Sequence, residues 1–312
     1  MKAVIMAGGF GTRLRPLTMT IPKPMVPLLN KPIMEHIINL LKNHGINNIV
    51  SLLYFHPEII TSYFQNGEKF GVSLNYIIAQ ADYGTAGAVK NAYQYLDEPF
   101  IVISGDVLTD FDLTQAINFH KEKHSLATIL LTRSSLPLQY GIVITDDNDR
   151  ITRFLEKPSW GQVFSDTINT GIYILEPEVL DLIPYQEEFD FGKDLFPLML
   201  EKKMPLYGYV ANGYWRDIGN LEEYLIGQKD ALAGKVKLNI SSNLYESYYG
   251  YSDTEVANNV EIKGNVYLGH NTKISSNCIL KDSIIGNNVT IGTGSKLYGV
   301  VIWDNVKIGE FC

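Results

Sequence analysis

The sequence predicts an α/β protein with a mostly parallel sheet flanked by helices, followed by a short solenoid of parallel β-strands. Three observations carry that expectation. Up to about residue 232, short β-rich runs alternate with amphipathic helical runs, as parallel strands joined by crossover helices require. After Gly234 the helical period disappears, and from Val256 an apolar residue returns at about every sixth position. The 312 residues, 46% hydrophobic and 19% charged, suffice for two packed units.

Ala3-Val4-Ile5-Met6 reads as a buried first strand that opens into a glycine-rich loop. Ile33, Ile37 and Leu41 recur at i, i+4 and i+8, and Gly45 stops that helix after His44. Further strands are predicted at 48–53, 74–78, 100–104, 126–131 and 168–175. Helices are predicted at 57–65, 86–95, 113–123 and 221–232, with Asp112 and Asn220 as N-caps. Residues 1–232 are expected as one domain, 233–251 as a polar, tyrosine-containing connector and 252–312 as the solenoid.

In that last part Val256, Ile262, Leu268, Ile274 and Leu280 are six apart. After a one-residue contraction come Ile285, Ile291 and Leu297, then Ile302 and Ile308. Two residues before all but the first stands a small or β-branched side chain: Val260, Val266, Thr272, Cys278, Ser283, Val289, Ser295, Val300 and Val306. An antiparallel sandwich, with its period of two, would not hold a six-residue phase over ten positions. The pattern resembles the hexapeptide-repeat left-handed parallel β-helix. Because the chain stops inside a repeat, either a partner over that end or further natural chain is expected.

The formal charge of −8, from 26 Lys plus Arg against 34 Asp plus Glu, opposes adsorption to nucleic acid or anionic lipid. Cys278 and Cys312 have neither disulfide-framework nor zinc-ligand spacing, and no run reads as a secretion signal or membrane span. A cytoplasmic protein is expected. His120 and His124 flank a solvated Lys-Glu-Lys face rather than a metal pair. The tyrosines at 245, 248, 249 and 251 lack a basic cluster for nucleic-acid stacking and suit packing between domains.

The strongest chemical signal is Gly8-Gly9-Phe10-Gly11-Thr12-Arg13-Leu14-Arg15-Pro16-Leu17-Thr18, with Lys23-Pro24 beyond it. Such glycines let backbone N–H groups approach phosphate oxygens, while Arg13 and Lys23 supply the neutralising charge. The spacing matches neither the dinucleotide fingerprint nor the P-loop. Asp106 follows an apolar strand, where open α/β sheets place ligands, and Asp217 lies in a polar-aromatic turn. A cap or turn role would suffice for either alone. Together they suit Mg²⁺, which takes one or two protein carboxylates and completes its shell with phosphate oxygens and water. Pro158 is expected to keep Lys157 extended with its ammonium outward.

This loop and lysine resemble the signature of sugar nucleotidyltransferases, the nucleotide-diphosphate-sugar pyrophosphorylases, and the likeness runs through the first 232 residues. Its further landmarks appear in order as Gly84-Thr85-Ala86-Gly87, Ser104-Gly105-Asp106, Phe154 to Pro158, Asn169 to Tyr173 and Trp215 to Gly219. The resemblance implies a Rossmann-like nucleotide-diphospho-sugar transferase fold, in which a sugar 1-phosphate attacks the α-phosphate of a nucleoside triphosphate and expels pyrophosphate. It implies Asp106 and Asp217 as ligands of a Mg²⁺ cofactor, with Arg13, Lys23 and Lys157 as catalytic cations. Ala7, Gly8, Gly9, Gly11, Thr12, Gln80, Gly84 and Thr85 would bind the nucleotide, the bare Gly84 admitting a flat ring. Gly141, Glu156, Lys157, Asn169, Thr170 and Gly171 would bind the sugar phosphate. Gln80 stands where many relatives carry Glu.

Within the family the chain looks most like the mannose-1-phosphate guanylyltransferases, so GTP and mannose 1-phosphate are the expected partners. Glucose-1-phosphate thymidylyl-, uridylyl- and adenylyltransferases share nearly all these features. A homo-oligomer is expected from the association surfaces of a solenoid. Two other classes fit part of the chain: a non-catalytic subunit of the same fold, and an acyltransferase using His270. The first would be expected to lose the charged residues that are all present here, and the second rests on one turn histidine.

Overall fold

The structure, a computed structural model, describes residues 1–240, 242–245 and 247–312, and of Trp160 the backbone only. The described chain forms two compact units. One comprises Met1–Met25 with Ile37–Asp217, the other Val26–His36 with Ile218–Cys312.

The first unit is built on a mixed sheet. Lys2–Met6 lies between Asn48–Leu53 and Phe100–Ser104, and Ser73–Ile78 extends the row; all these pairs are parallel. Thr167–Leu175 then pairs antiparallel with Phe100–Ser104, and Ala127–Arg133 antiparallel with Thr167–Leu175. The central strands are near-continuous apolar runs because both their faces are covered. Val4, Val50, Val102 and Tyr173 pack with Ala86 and Val89 of helix α3 (Gly84–Lys90) and with Phe196 and Met199 of helix α5 (Phe196–Glu201). Alternate residues Ala3, Ile5, Ile49 and Ile101 are equally buried on the other side.

The strands predicted at 48–53 and 100–104 have those bounds, and the others differ by one or two residues at an end. Asp112 caps helix α4 (Leu113–Glu122) by accepting from Gln115 N–H, and Asn220 caps helix α6 (Leu221–Leu232) by accepting from Glu223 N–H. The helix predicted at 86–95 is shorter: α3 starts at Gly84, ends at Lys90, and a separate 3₁₀ turn occupies Tyr93–Tyr95. One antiparallel hairpin, Ile142–Thr145 with Ile151–Leu155, has no counterpart in the sequence reading. Its signal was present as the turn cluster Asp146 to Asp149, where Asp146 Oδ1 accepts from Asn148 and Arg150 N–H and Asp149 takes φ 67°.

In the second unit, short strands pair in parallel with partners 17 or 18 residues further along the chain. Glu261–Leu268 pairs with Ile279–Ile285, and the latter with Lys296–Tyr298 and Val301–Ile302. Glu255–Val256, Lys273–Ile274, Thr290–Ile291 and Lys307–Ile308 form a second parallel row. Asn271, Asn288 and Asn305 each have positive φ; the Asn271 amide donates to Asn288 Oδ1 and the Asn288 amide to Asn305 Oδ1, in steps of 17 residues. Val266, Leu268, Ile274, Cys278, Leu280, Ile285, Val289 and Ile291 fill the core, so both registers of the repeat point inward. The one-residue contraction is a register shift after Lys263, where Gly264 adopts φ 64°. Gln228 of α6 ties the turn between Pro27–Leu28 and Lys31–Pro32 to this unit, accepting from Leu29 N–H (3.0 Å) and donating to Pro27 O (2.8 Å).

Candidate active site

The glycine loop leaves the sheet where Ala7 N–H donates to Leu52 O at 2.9 Å. Gly11 has φ 62°, and a Cβ there would lie 3.0 Å from Thr18 Cγ2 and 3.1 Å from Lys23 Cβ, so this position requires glycine on both counts. Thr18 Oγ1 donates to Gly11 O at 2.7 Å and closes the loop on itself. Gly8, Gly9, Phe10 and Lys23 line a cleft of about 430 Å³ together with Tyr54, Gly84, Thr85 and Asp106. That volume lies in the range of small-molecule sites.

Charge is concentrated at Lys23, which is almost fully buried. Its ammonium donates to the Asp106 carboxylate and lies 3.6 Å from Asp217 Oδ1. Burial opposes the charge on Lys23, but the two carboxylates outweigh it and hold the lysine above its usual pKa. For Asp106, burial is likewise overcome by Lys23, and its pKa is lowered. Asp217 goes the other way: burial first, then the charge of Asp106, push it up to about 6. Arg13 is exposed, and its charge reaches both Lys23 and Asp217. The expectation that Asp217 sits in a turn is corrected. It ends the strand Trp215–Asp217, which pairs antiparallel with Val107–Thr109, and this ribbon carries it to Asp106.

Of the residues assigned to the sugar phosphate, Gly141, Glu156, Asn169 and Gly171 come together in a second cluster. Asn169 N–H donates to Gly141 O at 2.7 Å, and its Oδ1 accepts from Gly171 N–H at 3.0 Å. The Glu156 carboxylate lies against Gly141. Thr170 is buried and spends its hydroxyl on Leu130 O (2.7 Å), while its carbonyl accepts from Trp215 Nε1 at 3.0 Å. Lys157 is exposed with φ 43°, in the left-handed region, which corrects the extended backbone expected before Pro158. Local preference yields there to the turn that ends the strand Ile151–Leu155.

The model of the nucleotidyl transferase family matches residues 2–234. The chain belongs to the nucleotidyl transferase family. A UTP–glucose-1-phosphate uridylyltransferase of Synechocystis is 40% identical over 99% of this chain and 84% of its own length. A mannose-1-phosphate guanylyltransferase of Mycobacterium tuberculosis is 31% identical over 99% and 82% respectively. A Bacillus anthracis chain described as a glucose-1-phosphate thymidylyltransferase superposes with a TM-score of 0.69 at 25% identity, covering 77% of this chain and 98% of its own.

In this nucleotidyl transferase, one nucleotide-side expectation needs restating. The space at Gly84 is taken by backbone, since a Cβ would stand 2.8 Å from Phe189 O; with φ 67° the glycine serves chain packing instead of admitting a ring. Gln80 is exposed between Ala79 and Ala81, which line the cleft. Thr12 is also exposed. The sequence reading missed the segment Asp190 to Lys193, both of whose end residues line the cleft. Asp190 Oδ1 accepts from Thr85 N–H (3.1 Å) and Oγ1 (2.9 Å), and its other oxygen meets Lys193 Nζ at 3.2 Å. The available signal was a block of acidic residues interrupted by Phe191-Gly192-Lys193 before an apolar helix.

Asp106 and Asp217 fit a hard divalent cation. They are two carboxylates on one buried ammonium, oxygen ligands of the kind such a cation takes. Among the described residues no group of three His, Cys, Asp or Glu side chains converges, so substrate phosphate oxygens and water would have to complete the shell.

Proposed function

We propose that this chain transfers a nucleotidyl group from a nucleoside triphosphate to a sugar 1-phosphate and releases pyrophosphate. The observation that carries the reading is Lys23 held by Asp106 and Asp217 at the glycine-loop cleft, in a chain matched to the family along residues 2–234. An oxygen of the sugar phosphate bonds to the α-phosphorus as the bond to the bridging oxygen of the leaving pyrophosphate breaks. Such a transfer needs clamping and charge neutralisation more than a protein nucleophile. Arg13 and Lys23 take the triphosphate and the departing pyrophosphate, with the loop from Ala7 to Thr12 and Thr85 beside them. Lys157 takes the attacking phosphate, and Glu156 and Asn169 take sugar hydroxyls. Asp106 and Asp217 would hold Mg²⁺, whose contribution is further neutralisation of phosphate charge.

GTP and mannose 1-phosphate are the proposed pair, supported by relatives with that activity in their names at 31% and 34% identity over 99% of this chain. The 40% identity to a uridylyltransferase favours UTP and glucose 1-phosphate as the second reading. In this proposal residues 1–232 are the catalytic domain, 233–251 the connector, and 252–312 a left-handed β-helix, supported by the parallel rows and their double inward register. A cytoplasmic homo-oligomer belongs to the same reading; a monomer by light scattering at micromolar concentration would remove that part.

Pyrophosphate release with Mg²⁺ tests the whole. GTP, ATP, UTP and dTTP are each paired with mannose, glucose, galactose and N-acetylglucosamine 1-phosphates. A dominant GTP and mannose 1-phosphate rate supports the first pair, and a different dominant rate replaces the pair while keeping the reaction. No release by folded protein would overturn the reaction in favour of a non-catalytic subunit.

A further inference from the structure

Glu156 is half-buried between two glycines from separate parts of the chain. A Cβ at Gly141, just before the strand Ile142–Thr145, would lie 2.7 Å from Glu156 Oε2. A Cβ at Gly192, in the single π-helical turn Phe191–Leu195, would lie 2.6 Å from the same oxygen and 3.1 Å from Cδ. Neither glycine has a positive φ, so the backbone conformation does not demand them. Their bareness makes room for the carboxylate.

At Gly192 the three nearest atoms to such a Cβ all belong to Glu156. A methyl group there would be accommodated by moving the flexible glutamate, with the backbone left in place. At Gly141 the Phe154 ring would also be met, at 2.9 Å, which makes that position less selective. Burial, with the nearby Asp190, raises the pKa of Glu156, and Lys157 and Lys193 only partly oppose that. A half-buried carboxylate in such a slot suits neutral hydrogen-bond donors such as ring hydroxyls.

We propose that Gly192, with Gly141, forms a slot that positions the Glu156 carboxylate, making Gly192 a specificity-determining position for the sugar 1-phosphate. The inference rests on the reaction proposed above. Gly192 does not touch substrate; it acts through Glu156. The π-helical turn matters because Asp190, the residue before it, is held by Thr85 on the nucleotide side of the cleft. The slot wall is therefore anchored.

The test is steady-state kinetics of Gly192→Ala with each substrate varied in turn. The expected result is a rise of roughly tenfold in KM for the sugar 1-phosphate with KM for the nucleoside triphosphate unchanged. In a Glu156→Ala background the same substitution is expected to add nothing. An unchanged sugar KM, or an equal penalty without Glu156, overturns the proposal. Should Gly192→Ala fail to fold, Glu156→Asp withdraws the carboxylate from the slot without touching the turn, and an unchanged sugar KM there also overturns it. If the wild type releases no pyrophosphate, the reaction itself falls. The slot is then judged by calorimetric binding of mannose and glucose 1-phosphates, where equal binding by wild type and Gly192→Ala, or none by wild type, overturns it.

Discussion

Asp217 lies opposite Val107 in an antiparallel ribbon, and since Val107 follows Asp106, that register sets the two carboxylates on one ammonium. The pair is costly without a cation, because two half-buried carboxylates of like charge act on each other there. Lys23 pays part of that cost in the free protein. In the reaction proposed above, the same two carboxylates would take a second cation when phosphates arrive.

Removing Lys23 and neutralising Asp217 should therefore have opposite effects on stability. Lys23→Ala leaves two half-buried carboxylates without their partner, and a destabilisation on the order of 3 kcal/mol is expected. Asp217→Asn relieves repulsion, so its metal-free melting temperature should equal or exceed that of the wild type. Both should lose about a hundredfold or more in turnover. Thermal melts beside pyrophosphate-release rates check this, and a destabilised Asp217→Asn would contradict the charge assignment.

The pH response follows from Asp217. Its folded pKa, about 6, stands above that of an unfolded aspartate, so the folded chain takes up this proton at a higher pH than the unfolded chain does. Metal-free stability from this group should rise as pH falls through that window. Mg²⁺ must displace the same proton, so at limiting Mg²⁺ the rate should fall as pH drops through about 6, and excess Mg²⁺ should restore it. Rate profiles at two Mg²⁺ concentrations test this; profiles that coincide would refute it.

Gly84→Ala combines a positive φ with a backbone carbonyl where the methyl must go. More than about 1 kcal/mol of stability should be lost. Because Thr85 would shift with its neighbour, and Thr85 also holds Asp190, KM should rise for both the triphosphate and the sugar phosphate. Denaturant titration and the two KM values provide the check.

Gln228→Leu should act on the second unit. Pro27 O keeps the Tyr224 hydroxyl as a donor at 2.9 Å, but Leu29 N–H loses its acceptor in a buried setting. A loss of about 1–3 kcal/mol is expected. Gln228→Glu retains the acceptor for Leu29 and should recover part of it, which equilibrium unfolding would show.

Several positions of the candidate site and fold could be read along the chain because their chemistry is local. The loop from Gly8 to Thr18 announces itself by glycine and cation spacing, and Asp106 by the apolar strand before it. The N-caps Asp112 and Asn220 stand where a carboxylate or amide precedes a helical period. His120 is a buried histidine of the core, with Nδ1 2.8 Å from Thr128 Oγ1 and Nε2 3.2 Å from Glu176 Oε1, which only the tertiary structure reveals.

By itself the sequence determined the alternation of strands and helices, the six-residue phase and its contraction, and the residue types gathered for phosphate chemistry. Those are consequences of period, local backbone preference and side-chain chemistry, all of which act over a few residues. Only the tertiary structure decided that Asp217 sits on a strand beside Asp106, that Gly84 yields its space to residue 189, and that Lys157 turns left-handed. It also placed Asp190 and Lys193 at the cleft and Gly192 against Glu156. Each depends on which distant backbone packs alongside, and close packing can override a local preference worth a kcal/mol or so.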